Sequence, residues 1–249
     1  MVSGVSWIIF PLIFLSGFVD SIAGGGGLIS LSSYAAIGLP VHVALGTNKF
    51  SSLFGTAVAT VRFAVKGHIH WLAGAFSVAG ALFGSALGAR LALSVDERAL
   101  KALLIAVVPM VAVFLFLKKD FGAREKQYSK RKTAAAALVV SMAIGAYDGF
   151  FGPGAGTFMI MAFTQVLGLS LLKACGNAKL VNFSSNLAAV VTFMINGNVR
   201  YDLAVPCALC GILGSYVGAG LAMKKGVRIV RPLMLLMIAG LMIKIVLDM

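Results

Sequence analysis

Charge is what this sequence has least of. Only 12% of its 249 residues are charged, against roughly 25% in soluble chains. Acids are scarcer still, eight Asp and Glu together, while the hydrophobic fraction reaches 60%. So little charge excludes a soluble globular surface. Cysteine is also sparse: Cys175, Cys207 and Cys210 make no disulfide framework, and the redox-like spacing Cys207-x-x-Cys210 lies inside an apolar run. A Walker A pattern is missing, which excludes ATP hydrolysis by the chain itself. Ten-residue alternation is missing too, which excludes a β-barrel. The three histidines, His42, His68 and His70, fall at turns between apolar runs, and His68-x-His70 reads as a solvated turn. The expectation is therefore no cofactor, no metal and no catalytic group. The formal charge of +13 is carried by short loops between apolar runs. That is how membrane topology is encoded, and it is not a nucleic-acid footprint.

What the chain does have is long uncharged stretches, and these make it a polytopic membrane protein. Each spanning segment must satisfy its own backbone hydrogen bonds, so the fold class is all-α. Five apolar segments are read in the first half, at about 5–23, 25–38, 43–65, 71–92 and 99–117. Five more follow at about 133–151, 155–170, 178–195, 201–222 and 231–248. Ser21-Ile22-Ala23 has the small-x-small form of a signal-peptidase site, but no basic region precedes it. The first segment is read as a retained helix.

The halves are copies. GFVDSIAGGGGLISL (Gly17 to Leu31) matches GAYDGFFGPGAGTFM (Gly145 to Met159), with Asp20 and Asp148 at an offset of 128. Downstream the offset becomes 130: Gly46 pairs with Gly176, Lys49 with Lys179, Phe63 with Phe193, and Gly84-Ser85 with Gly214-Ser215. The expected organisation is a first transmembrane repeat at 1–117, a basic cytoplasmic linker at 118–132 and a second repeat at 133–249. In each copy a glycine cluster directly precedes a segment shorter than the ~20 residues a spanning helix needs. Glycine and Pro153 weaken a helix interior, so a sharp break inside the membrane is expected there.

Lysine and arginine placement sets the topology. With every segment crossing, 13 loop positives share one side and three (Arg98, Lys101, Arg200) the other; with the short segments not crossing, the split is nine to seven. The first arrangement obeys the positive-inside rule better. Its five crossings per half, an odd number, give the two copies opposite orientations: an inverted repeat with both termini, including Met249, outside. Inverted repeats with broken helices are typical of secondary transporters.

Three sets of residues could carry chemistry. The half-helices starting near Gly26 and Gly154 expose backbone N–H groups that attract anions. The clusters Gly24, Gly25, Gly26 and Gly152, Gly154 let a substrate or another helix approach the backbone. Gly80, Gly84 and Gly88, with Gly214 and Gly218, read instead as packing seams. TNKFSSLFGT (47–56) and NAKLVNFSSN (177–186) each place a lysine before hydroxyl and amide residues. Such a polar stripe needs to face protein or water. Asn48, Lys49, Ser52, Lys179, Asn182 and Asn186 are the candidate substrate contacts. The lysines could equally snorkel to the interface or pair with Asp20 or Asp148. Those two aspartates, the acids well inside apolar runs, either carry a proton in coupled transport or cap the broken helices.

DSIAGGGGL, ALGTNK, YDGFFGPGAG and AKLVNFSSN resemble the sulfite exporter TauE/SafE family of membrane permeases, and the resemblance covers nearly the whole chain. It implies a multi-pass cytoplasmic-membrane transporter of small sulfur-containing anions or related carboxylates. The glycine clusters and the polar stretches after Gly46 and Gly176 would then line a central site, with a proton as a possible coupling ion. A passive channel or a non-transporting membrane partner is the rival class. An intramembrane aspartyl protease is a weaker one: its chemistry needs two carboxylates sharing a proton, whereas these two sit at equivalent repeat positions and lack that class's glycine-x-glycine-aspartate motif.

Overall fold

The computed structural model describes residues 7–100, 102, 128–226, 228–230 and 232–233. Most of segments 99–117 and 231–248, most of the linker 118–132, and Met249 lie outside the described residues.

Eight helices with complete bounds are described, and no strand among the described residues. In the first half they are α1 (Ile9–Ala23), α2 (Gly26–Ala36), α3 (Val41–Val65) and α4 (Trp71–Ser94). In the second they are α5 (Lys130–Phe150), α6 (Ala155–Gln165), α7 (Leu171–Ile195) and α8 (Tyr201–Lys225). Local chemistry sets the boundaries. Gly24, at φ 78°, ends α1 in a left-handed cap whose N–H bonds the Asp20 carbonyl. Gly152 and Gly154, at φ 96° and 81°, flank Pro153 between α5 and α6. Ser129 caps α5, its hydroxyl accepting from the Lys132 N–H, so that helix begins inside the expected linker.

Close glycine contacts fix the direction of each helix. A Cβ at Gly80, Gly84 or Gly88 would collide in turn with Leu138, Met142 and Ala146, so α4 and α5 run parallel. Gly214 and Gly218 meet Phe14 and Phe18 in the same way, which makes α1 and α8 parallel. Gly55 packs on Ser215, and Gly220 lies against the Arg62 guanidinium, so α3 also runs with α8. By contrast, Gly46 near the start of α3 abuts Asn198 beyond the end of α7, and Gly176 near the start of α7 abuts His68 beyond the end of α3. The equivalent helices α3 and α7 are therefore antiparallel, and the two halves are inverted relative to each other.

The same geometry revises the crossing count. Helices α1 and α3 both run with α8, and only residues 37–40 connect α2 to α3. Helix α2 must therefore return to the end from which α1 set out. With eleven residues it rises about 16 Å, half of a ~30 Å hydrocarbon core. Helices α1 and α2, like α5 and α6, are arms of a hairpin whose tip turns inside the bundle. Among the described residues, α2 and α6, eleven residues each, are therefore too short to cross fully. The inversion survives because a hairpin, like two full crossings, returns the chain to its starting side. The tips meet: Gly24 lies against Gly156, and the Thr157 hydroxyl donates to the Ala23 carbonyl at 2.9 Å.

Around this centre α4, α5, α7 and α8 are each long and apolar enough to cross a membrane, and α3 matches α7 at 25 residues. Phe83, Leu91, Ile195, Leu209 and Leu213 are exposed on the outer surface, as lipid contact requires. The ends differ in charge. The end of α3 and the starts of α5 and α7 lie with the end of α8, gathering Lys66, Lys130, Arg131, Lys132, Lys173, Lys224 and Lys225. The opposite end holds Arg98 and Arg200, and there the Val41 N–H bonds Glu97 at 3.0 Å. In a membrane-impermeant maleimide assay on cells and inverted vesicles, Lys66→Cys and Lys224→Cys are expected to label from one side, and Arg98→Cys and Asn196→Cys from the other. Labelling of all four from one side would contradict the inversion.

Candidate functional site

The polar residues that the repeats carry inside their helices converge at the hairpin tips. Lys49 and Lys179 each stand eight residues into a 25-residue helix, about 12 Å from its start. Neither snorkels: their side chains are 2% and 0% exposed. Each crosses to the other half. Lys49 Nζ lies 2.9 Å from Asp148 Oδ1, and Lys179 Nζ lies 2.9 Å from Asp20 Oδ2. The Ser185 hydroxyl donates to Asp148 Oδ2, and the Ser85 hydroxyl donates to the Ser185 carbonyl at 2.7 Å. Lys179 also donates to the main-chain carbonyl of Asp20, placing a cation on the last turn of α1, where the helix dipole favours it.

Pairing follows from the surroundings. A lone ion in a membrane interior is expensive, and a buried pair tolerates its desolvation only with good geometry and further hydrogen bonds. Both aspartates face lysines. Gly25 and Gly154 hold the N-cap positions of α2 and α6 with no side-chain cap, and both carboxylates are committed to lysines. The breaks are fixed by other groups. The Ser16 hydroxyl donates to the Gly26 carbonyl at 2.7 Å, and the Tyr147 hydroxyl donates to the Pro153 carbonyl at 2.6 Å. Gly26 has to be glycine because a Cβ there would run into the Ser16 carbonyl.

Between the tips lies a cavity of about 50 Å³, room for a few waters or a small ion. Of the residues expected from the sequence, Gly24, Asn48, Lys49, Ser52, Gly152, Asn182 and Asn186 line it, together with Asp20 and Asp148. Gly25, Gly26 and Gly154 shape the tips without lining it. Lys179 does not line it either; it stands behind Asp20. Ser51 and Thr56 of the 47–56 polar stripe line the cavity as well, and sequence reasoning missed Ser16, Ser30 and Ser215 and the glycines Gly17, Gly55 and Gly211, which share the wall. A signal was available: Gly211 and Ser215 are small residues four apart on the helix that carries the Gly214 and Gly218 seam. Among the described residues no group of His, Cys, Asp or Glu could hold a metal ion.

The chemistry of this space is that of a buried polar chamber. One lysine and three asparagine side chains supply hydrogen-bond donors, and carboxylates and hydroxyls supply acceptors. The half-helix starts at Gly26 and Ala155 lie at the tips beside it.

The sulfite exporter TauE/SafE family model matches residues 9–245. Curated relatives match along nearly their whole length. A "Probable membrane transporter protein ORF9" of a Sinorhizobium species is 36% identical, with 96% of this chain and 92% of the relative covered. A "Probable membrane transporter protein" of Haemophilus influenzae is 34% identical, covering 97% and 94%. The "Probable membrane transporter protein YfcA" of Escherichia coli K12 is 32% identical, covering 97% and 89%. No solved structure matches.

The ion pairs generate one stability prediction. Lys179→Met leaves Asp20 without its counterion and is expected to cost about 3–5 kcal/mol. Adding Asp20→Leu is expected to restore most of the loss. Denaturation of the purified variants in detergent checks it, and an unaffected single variant would show that the pair carries no stability.

Proposed function

Because the chain belongs to the sulfite exporter TauE/SafE family of membrane transporters, we propose that it is a secondary permease for a small sulfur-containing or organic anion, such as sulfite or a sulfonate, working by alternating access in the cytoplasmic membrane. The observation that carries this reading is the small polar chamber between two inverted halves, bounded by both hairpin tips and faced by the buried Lys49. Lys49 supplies the positive charge, and Asn48, Asn182 and Asn186 supply amide donors. Small-ligand sites at a repeat interface, beside discontinuous helices, are what inverted-repeat transporters use.

The charges constrain the mechanism. Lys49, Asp148, Asp20 and, behind it, Lys179 sum to zero. An entering anion adds a negative charge where an uncompensated one is costly. A proton taken up by a chamber carboxylate offsets it, so the anion and a proton move together. Since α3 and α7 are equivalent and antiparallel, the two halves can exchange arrangements, and the chamber then opens at one end or the other. By the positive-inside rule the end carrying Lys66, Lys173 and Lys224 faces the cytoplasm.

The test is flux in proteoliposomes, screening sulfite, sulfate, thiosulfate, small sulfonates and small carboxylates. The expected result is saturable uptake of at least one sulfur or carboxylate anion, accelerated when the outside is more acidic than the lumen. Flux that does not saturate points to a channel. Saturable flux indifferent to the pH gradient contradicts proton coupling.

A further inference from the structure

The two lysine–aspartate pairs are equivalent by sequence, but their surroundings are not. Near Lys49 the helix carries Asn48, Ser51 and Ser52, and all of them line the chamber. At the equivalent positions near Lys179 stand Ala178, Val181 and Asn182. Ser16, which faces the chamber from α1, has Ile144 as its counterpart in α5. The polar wall is therefore built largely by the first half: Asn48, Ser51 and Ser16 have Ala178, Val181 and Ile144 as counterparts, while Asn182 and Asn186 match Ser52 and Thr56 and line the chamber with them. Lys179 is fully buried, lies off the chamber, and holds both the carboxylate and the main-chain carbonyl of Asp20. Lys49 lies on the chamber wall with its ammonium beside Gly152.

We infer that the repeated pair has divided its labour. Lys179–Asp20 is a structural clasp that closes the end of α1 and holds the first hairpin tip in place. Lys49 is the cation that meets the transported anion, and Asp148 is its resting counterion, which the anion displaces. This rests on the reading of the chamber as an anion site. The physical reason is access. Exchange of one anionic partner for another needs an approach path for the incoming anion, and Lys49 stands on the chamber wall whereas Lys179 stands off it. It also needs a counterion that can let go without unravelling a helix end. Asp148 meets Lys49 through its side chain, whereas releasing Asp20 would also strip Lys179 from the α1 carbonyl.

The contrast is testable without knowing the substrate. Lys49→Cys and Lys179→Cys, each in a chain with Cys175, Cys207 and Cys210 replaced by alanine, are reconstituted and treated with a small water-soluble methanethiosulfonate. Thiol modification requires access to water, so the first variant is expected to react at least about tenfold faster. Equal rates, or faster reaction of the second, would overturn the inference. Should a cysteine variant fail to fold, Lys49→Gln and Lys179→Gln carry the test. The first is expected to lower flux per folded protein by about tenfold or more, the loss of a charged contact, over and above any stability lost with the counterion of Asp148. The second is expected to lower the melting temperature by several degrees and leave KM per folded protein within about twofold. The reverse pattern, or the same pattern in both, would contradict the division. If the unaltered protein moves none of the screened anions, the transport reading fails by itself, and the labelling contrast still decides between clasp and contact.

Discussion

A charge buried inside a membrane protein must be neutralised where it sits, and this molecule satisfies that constraint through two ion pairs that cross between its halves. Neither half could hold its own lysine and aspartate in this way. Asp20 and Lys49 lie in one half and Asp148 and Lys179 in the other, and each bond joins a hairpin tip to the opposite long helix. The inverted repeat is thereby tied at its centre. Seams of small residues complete the assembly, with Gly80, Gly84 and Gly88 seated on α5 and Gly214 and Gly218 on α1. These seams set helix distances, and the ion pairs set where the chamber lies.

The broken helices follow from the same constraint. A helix ending mid-membrane leaves backbone groups that need partners, and both tips find them within the protein. Gly24 reaches the left-handed conformation that caps α1, and Ser16, Tyr147 and Thr157 bond carbonyls at or beside the tips. The mutual contact of Gly24 and Gly156 leaves no room for a side chain at the point where the tips touch. The glycine clusters thus serve backbone approach, and the space beside them is walled by the polar faces of α1, α3, α7 and α8.

Much of this was legible in the chain. The constant offset revealed the repeat, glycine before a short apolar run located the breaks, and an aspartate or lysine within such a run marked the centre. Two things were not legible. Periodicity places Lys49 on α3 but does not say which neighbour it meets, so snorkelling, substrate contact and pairing stayed open until three-dimensional packing put Asp148 beside it. Charge counting fixed the parity of the topology but not its depth: a hairpin turning at mid-membrane and two full crossings return the chain to the same side, and the eleven-residue length of α2 and of α6 is what separates them. Ser16, Ser30 and Ser215 were passed over because a lone serine in an apolar helix most often bonds its own backbone. Ser30 does so, and all three line the chamber as well.

The central claim is that a small anion binds between the hairpin tips and takes the place of Asp148 at Lys49. An experimentally determined structure of the protein with a saturating anion, in lipid nanodiscs, tests it most directly. The account predicts density in the chamber beside the Lys49 ammonium, within reach of Asn182 and Asn186. It also predicts that the Lys49–Asp148 contact, 2.9 Å without the anion, opens while the Lys179–Asp20 contact stays closed. An anion bound elsewhere, or bound with both pairs intact, would contradict it.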